Sequence, residues 1–224
     1  MKRNRILLLI LLVPAFFFSG RVHAQHIYGA LSAGINVSQV DGDEVAGYKH
    51  VGFNGGPSVI IPFTKNRKWT VTMELLFSQK GSYEKRADVD TVPHPYYKLN
   101  LDYVEVPVLV HFTDKNIVAG GLGFSYGQLV GVKEWQHGSR VDSTTLQGPY
   151  ALPDLSVVAD VRLRLWQRLW LDVRFTYSIL KIRTRYFDNV YQSWTRDQYN
   201  NVLSFRLTYI FNEPLPAKKE KTKK

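Results

Sequence analysis

The chain has 224 residues, no cysteine and a formal net charge of +10, so disulfides, thiol nucleophiles and cysteine metal sites are excluded. The basic excess gathers at the two ends: Lys2, Arg3, Arg5 and Arg21 at the start, and five lysines against one glutamate in the closing AKKEKTKK. The body between is only weakly basic and offers no cationic face, so nucleic acid is not an expected partner.

Lys2, Arg3 and Arg5 precede an apolar run from Ile6 to Phe18, interrupted by Pro14, and the following SGRVHA ends in Val22-His23-Ala24. This order of charge, apolar run and small residue reads as an export signal cut after Ala24. The run is too short for a membrane helix of about 20 residues. The expected organisation is a signal peptide over 1–24, one β domain over 25–211 and a basic periplasmic tail over 212–224.

Beyond the signal, residues alternate in polarity, the mark of strands with two unlike faces. Leu31, Ala33, Ile35 and Val37 share one face against Ser32, Gly34 and Asn36. Val51, Phe53, Val59, Ile61 and Phe63 oppose Gly52, Asn54, Gly56 and Ser58. Trp69 to Phe77 alternates against Thr70, Thr72 and Glu74, and Val104 to Phe112 against Glu105, Pro107 and His111. Leu122, Phe124 and Tyr126 face away from Gly121, Gly123, Ser125 and Gly127. Val157 to Leu165 opposes Asp160, Arg162 and Arg164, and Leu169 to Ile179 opposes Asp172, Arg174, Thr176 and Ser178. Last, Leu203, Phe205, Leu207, Tyr209 and Phe211 alternate with Ser204, Arg206 and Thr208.

Short connections (TKNRK, TDKN, WQR) alternate with long polar ones, and the strand count is even. That pattern predicts an all-β fold, an eight-stranded antiparallel up-and-down transmembrane β-barrel with its long loops outside. The polar faces hold too many charges for a dry core, so the apolar faces must meet lipid. Glu74, Glu105, Asp160 and Asp172 then balance Arg162, Arg164, Arg174 and Arg206 within the barrel. Ring geometry pairs Arg174 with Glu74 and Arg206 with Glu105, and sets Arg162 and Arg164 opposite Gly52, Gly56 and Ser58. Buried charges persist only when paired, so these eight are expected to plug the bore.

The segments AQHIYGALSAGINVSQVDGD, GFNGGPSVIIPF, MELLFSQKGSY, LDYVEVPVLVHF and AGGLGFSYG resemble the PorT-like outer-membrane β-barrel proteins of Bacteroidetes across nearly the whole mature chain. The resemblance implies an outer-membrane location and an eight-stranded barrel. It implies no defined activity, although one branch of the family supports protein secretion.

Other motifs reduce to structure. GGLGFSYG lacks the helix that a phosphate loop needs, DGDE lacks the wider pattern of a calcium loop, and the histidines show no metal-ligand spacing. No cofactor is expected, and no nucleophile motif accompanies His50 or His137, so the chain is read as a non-enzyme. Trp135, Tyr150, Tyr186, Phe187, Tyr191 and Trp194 crowd the third and fourth outer loops. They form a candidate binding surface for a protein partner, or part of an interfacial girdle. The expected role is structural or interaction-based, with secretion or envelope assembly, a narrow channel or a lipid-modifying enzyme as alternatives.

Overall fold

The computed structural model describes residues 27–45, 47–85, 97–188 and 191–214. The signal peptide, its cleavage point and most of the basic tail lie outside them. The strands are β1 (Tyr28–Asp41), β2 (His50–Pro62), β3 (Trp69–Glu74), β4 (Leu76–Glu84), β5 (Tyr97–Asp114), β6 (Val118–Gln136), a two-residue β7 (Ser139–Arg140), β8 (Pro153–Trp166), β9 (Leu169–Ser178), β10 (Arg183–Asp188) and β11 (Ser193–Ile210).

β1 pairs antiparallel with β2 on one side and with β11 on the other, Gly34 lying opposite both Asn54 and Arg206, so the sheet closes into a ring. β3 and β4 form one stave interrupted at Leu75, since their register on β5 runs unbroken from Trp69↔Phe112 to Leu76↔Glu105. Eight staves result, with β7 and β10 as additions at the rim.

The two faces sort as the alternation requires. Leu31, Ile35, Phe53, Met73, Val106, Phe124, Val161 and Phe205 are exposed around the outside, whereas Ser32, Asn54, Thr72, Asp160 and Arg206 are buried within. A water-soluble protein does not surround itself with so continuous an apolar surface. In lipid it is the favourable one, because closure has already satisfied the backbone. Aromatic contacts mark the short-turn edge of this band, with Trp69 and Phe112 at 5.0 Å and Tyr209 and Phe211 at 5.5 Å. Tyr177 and Tyr199 stack at 6.3 Å toward the long-loop end.

The strands are longer than the roughly ten residues a bilayer demands: β5 has 18 residues, β6 19 and β11 18. Their outer halves rise beyond the apolar band, and there the interior changes character. Tyr97, Leu99, Leu101 and Tyr103 point inward with Val40, Leu129, Tyr150 and Ile182 to form an apolar core. A bulge between Asp102 and Tyr103 on the β5–β6 ladder lies at that transition. The alternation from Tyr97 to Tyr103 runs opposite to that of the membrane band, apolar inward and polar outward, so the apolar-out rule does not mark it as a second core above the charges.

Candidate functional site

The centre of the barrel is a hydrogen-bonded cluster of acids and arginines. Glu74, at the end of β3, is its hub: Oε2 accepts from Arg174 Nη1 at 2.8 Å and Arg206 Nη1 at 3.0 Å. Its Oε1 accepts from Arg174 Nη2 at 2.9 Å and Arg162 Nη2 at 3.1 Å. Asp160 Oδ2 accepts from Arg174 at 2.9 Å, Asp160 Oδ1 meets His111 Nε2 at 2.7 Å, and Asp172 Oδ2 accepts from Arg206 Nη2 at 2.5 Å. These residues come from β3, β5, β8, β9 and β11, so the cluster ties opposite walls together. Arginine suits this work because its planar fork can serve two carboxylates at once.

Arg174 meets Glu74 as expected, but one expected pairing and one expected member of the cluster are corrected. Glu105 does not meet Arg206; it faces Lys80 Nζ at 2.5 Å, and Lys80 also reaches Asp154 Oδ2 at 3.1 Å. Lys80 lies on β4 past Phe77, where the expected alternation stops, and Asp154 at the end of the long connection before β8, so the sequence pattern assigns neither to the interior. Asp154 is further held by Ser178, Ser156 and Asn200. Arg164 is not in the plug at all. It sits at the short-turn end, where Glu213 binds it at 2.6 and 3.0 Å while its guanidinium lies 4.2 Å above the Trp170 ring. Arg162, expected opposite the glycines of β2 and among the interior acids, reaches Glu74 on β3, because barrel shear offsets the facing strands.

The space left inside is small. Between Asn54, Lys80, Glu105, Arg174 and Ser204 the cavity holds about 10 Å³, room for about one water. Below the plug, the short-turn end opens into a vestibule of about 300 Å³ lined by Tyr28, Arg67, His111, Arg162, Trp170 and Glu213 among others. The chain past β11 folds back over this end: Asn212 bonds Gly29 N and Ile27 O, and Arg168 Nε donates to Glu213 O. The barrel's contacts thus run past Phe211 into the segment expected to be tail.

At the other end β10 and β11 form a ribbon above the rim. Arg183, at its base, donates to Glu134 at 3.2 Å and to Tyr150 Oη at 2.9 Å. Tyr150 is therefore a correction to the loop surface: it is 4 % exposed, part of the apolar core. Phe187 and Trp194 stack at 5.8 Å, half-buried, and Trp135 lies under Lys98 Nζ at 5.6 Å. Of the six aromatics only Tyr186 and Tyr191 are strongly exposed, at 62 % and 95 %. Arg185 lies directly across from Arg196 on the ribbon and packs over the rings of Tyr97 and Phe187.

One constellation has the composition of a hydrolase triad. His50 Nδ1 lies 3.0 Å from Ser38 Oγ, and His50 Nε2 lies 3.0 Å from Asn100 Oδ1. Yet Ser38 is fully buried inside the barrel, and its hydroxyl is engaged by both Gly81 O and Gly81 N at 3.0 Å. A nucleophile needs an approach path and a free lone pair, and Ser38 has neither. Among the described residues no group of three or more His, Asp and Glu is placed to hold a metal.

A family model described as "Outer membrane protein beta-barrel domain" matches residues 26–183. No curated protein matches the chain. Among solved structures, the chain is similar to Ail, the attachment invasion locus protein of Yersinia pestis, with 17% identity over 82% of this chain and 98% of that one and a TM-score of 0.48. It is similar to Neisserial surface protein A at 14% identity over 84% and 100%, TM-score 0.49. It is also similar to OprG of Pseudomonas aeruginosa, at 10% identity over 84% and 95%, TM-score 0.37.

Proposed function

The chain belongs to the outer membrane protein β-barrel family, and on that premise we propose that it is a sealed barrel whose working surface is its outer rim. Its role is interaction with a partner outside the membrane, not transport or catalysis. The observation that carries this reading is the closed interior. The hub around Glu74 and the Lys80–Glu105–Asp154 group fill the bore with mutually bonded charge. An ion crossing it would have to break several charge-assisted hydrogen bonds in a low-dielectric interior.

The rim supports the same reading. Like charges directly opposite on paired strands destabilise a ribbon, yet Arg185 faces Arg196 beside the Phe187–Trp194 stack. Cation and aromatic side chains held together at an exposed edge suit recognition more than folding. The resemblance to PorT-like proteins makes a component of protein secretion or envelope assembly the first partner to consider. Export with cleavage after Ala24 belongs to the same proposal.

The test is site-specific photocrosslinking in intact cells, with the crosslinker at Tyr186 or Tyr191 on the rim or at Lys115 in a short turn. A discrete adduct from the rim positions, absent from Lys115, is expected. No adduct at the rim alongside a discrete one at Lys115 would place the working surface at the other end.

A further inference from the structure

The ladder between β2 and β4 stops early. The two strands pair at Asn54↔Ser78 and Gly55↔Phe77, and toward the outer rim side chains take over their backbone groups. Phe53 N donates to Gln79 Oε1 at 3.1 Å, Asn36 Nδ2 donates to Gln79 O at 2.9 Å, and Ser38 holds both N and O of Gly81. At the crossing, a Cβ on Gly52 would stand 2.4 Å from Gln79 O, so only glycine lets the strands pass this closely. His50 fills the gap, joining Ser38 on the inside to Asn100 on the outside.

This seam leaves a pocket of about 250 Å³ in the outer wall, lined by Lys49, His50, Val51, Gln79, Tyr83, Lys98 and Asn100. Its height is set by the outward faces. Val51 and Phe53 on β2 and Val104 on β5 are exposed apolar residues, and beyond them the outward positions become Lys49 on one side and Asp102, Asn100 and Lys98 on the other. That change marks the passage from acyl chains to headgroups. Among the described residues, the lysine ion pairs involve Lys80 and Lys181 but neither Lys49 nor Lys98, and the Lys98 ammonium, 5.6 Å from the Trp135 ring, has no carboxylate partner. The neighbouring acid, Asp102, is bonded to Gln79 Nε2 at 3.0 Å.

We propose that this wall pocket binds the phosphate of an outer-leaflet lipid headgroup between Lys49 and Lys98, with the acyl chains lying along Val51 and Phe53. Ammonium groups act on phosphate as adaptable point charges, and their attraction strengthens where the membrane excludes water. His50 and Asn100 form the polar floor. Val51 leads directly from that floor onto the lipid-facing wall, which a wholly soluble anion would not need. The site is separate from the rim ribbon and stands or falls independently of the role proposed there.

The experiment uses the full chain, purified in a non-ionic detergent and titrated with dioctanoyl phosphatidic acid, dioctanoylglycerol or inorganic phosphate, with binding read by native mass spectrometry. The wild type should retain phosphatidic acid and not dioctanoylglycerol. Lys49→Gln with Lys98→Gln should weaken retention on the order of tenfold, while Lys115→Gln, in a short turn at the opposite end, should leave it unchanged. Heat-modifiable migration on gels verifies that each variant is folded. Equal retention by the wild type and the double variant, or equal retention of dioctanoylglycerol, would overturn the proposal. Displacement of phosphatidic acid by an equal concentration of inorganic phosphate would keep the phosphate chemistry but overturn the lipid as occupant.

Discussion

Lys80 Nζ stands 2.5 Å from Glu105 Oε1, deep in the barrel and with both side chains almost wholly buried. The amine also serves Asp154 and lies 4.9 Å from the Tyr103 ring, so a single cation holds β4, β5 and β8 together where the charged interior gives way to the apolar one. Lys80→Met would leave two buried carboxylates uncompensated. Removing one partner of a buried pair costs about 3–5 kcal/mol. The expected outcome is a clearly lower urea midpoint for folding into lipid vesicles, with part of the loss restored when Glu105→Gln is added. Midpoints that simply add across the two changes would show that the residues are not coupled.

Glu74 accepts hydrogen bonds from three arginines. Glu74→Gln should therefore destabilise more than Glu105→Gln, because it takes the shared carboxylate from three guanidinium groups, which keep only Asp160 and Asp172 between them, where the other takes one carboxylate from a single amine that keeps Asp154. Equilibrium unfolding of both variants side by side orders them, and the reverse order would contradict the hub.

The lipid face gives an independent check. Val161 is exposed on the outside of β8, and an arginine at mid-bilayer on a barrel costs about 2–4 kcal/mol. Thr72→Val, inside, should cost about 1 kcal/mol, the worth of its hydrogen bond with His111 Nδ1 at 3.1 Å. Comparable losses from the two substitutions would mean that the faces are assigned the wrong way round.

The first outer loop should respond to pH. Asp43 is 3 % exposed, and burial pushes its carboxyl up from an ordinary 3.8 to about 6, against the Val45 N–H, the Ser82 hydroxyl and Arg185, with Asp41 adding to the rise. A raised carboxyl pKa means that the folded loop prefers the protonated form. Its contribution is full below the unfolded value and is lost as pH climbs through about 6, a change on the order of 3 kcal/mol. The wild-type midpoint should fall between pH 4 and pH 8 by more than that of Asp43→Asn. An identical pH dependence in the two proteins would exclude Asp43 as the cause.

Much of this was legible in the chain because a barrel in lipid enforces strict alternation. Each of Leu31, Phe53, Val106, Val161 and Phe205 must face out, and their polar neighbours must face in. Partners across the ring were less legible. Alternation fixes which face Glu105 occupies but says nothing of tilt and shear, which bring Lys80 to it and leave Arg206 to Glu74 and Asp172. Arg164 has the same parity as Arg162 and still leaves the cluster, because it lies past the last turn of charge, where Glu213 folds back to meet it. The upper core escaped notice for another reason. Tyr97, Leu99, Leu101 and Tyr103 reverse the rule, apolar inward and polar outward, since above the membrane both faces meet conditions closer to those of a soluble protein.

The most direct test of the sealed barrel is planar-bilayer conductance of the purified wild-type protein beside Glu74→Ala with Arg174→Ala. The wild type should show no stable steps, and the double variant, with the hub opened, should show small ones. Steady, defined steps from the wild type would contradict the closed interior, and with it the assignment of function to the rim.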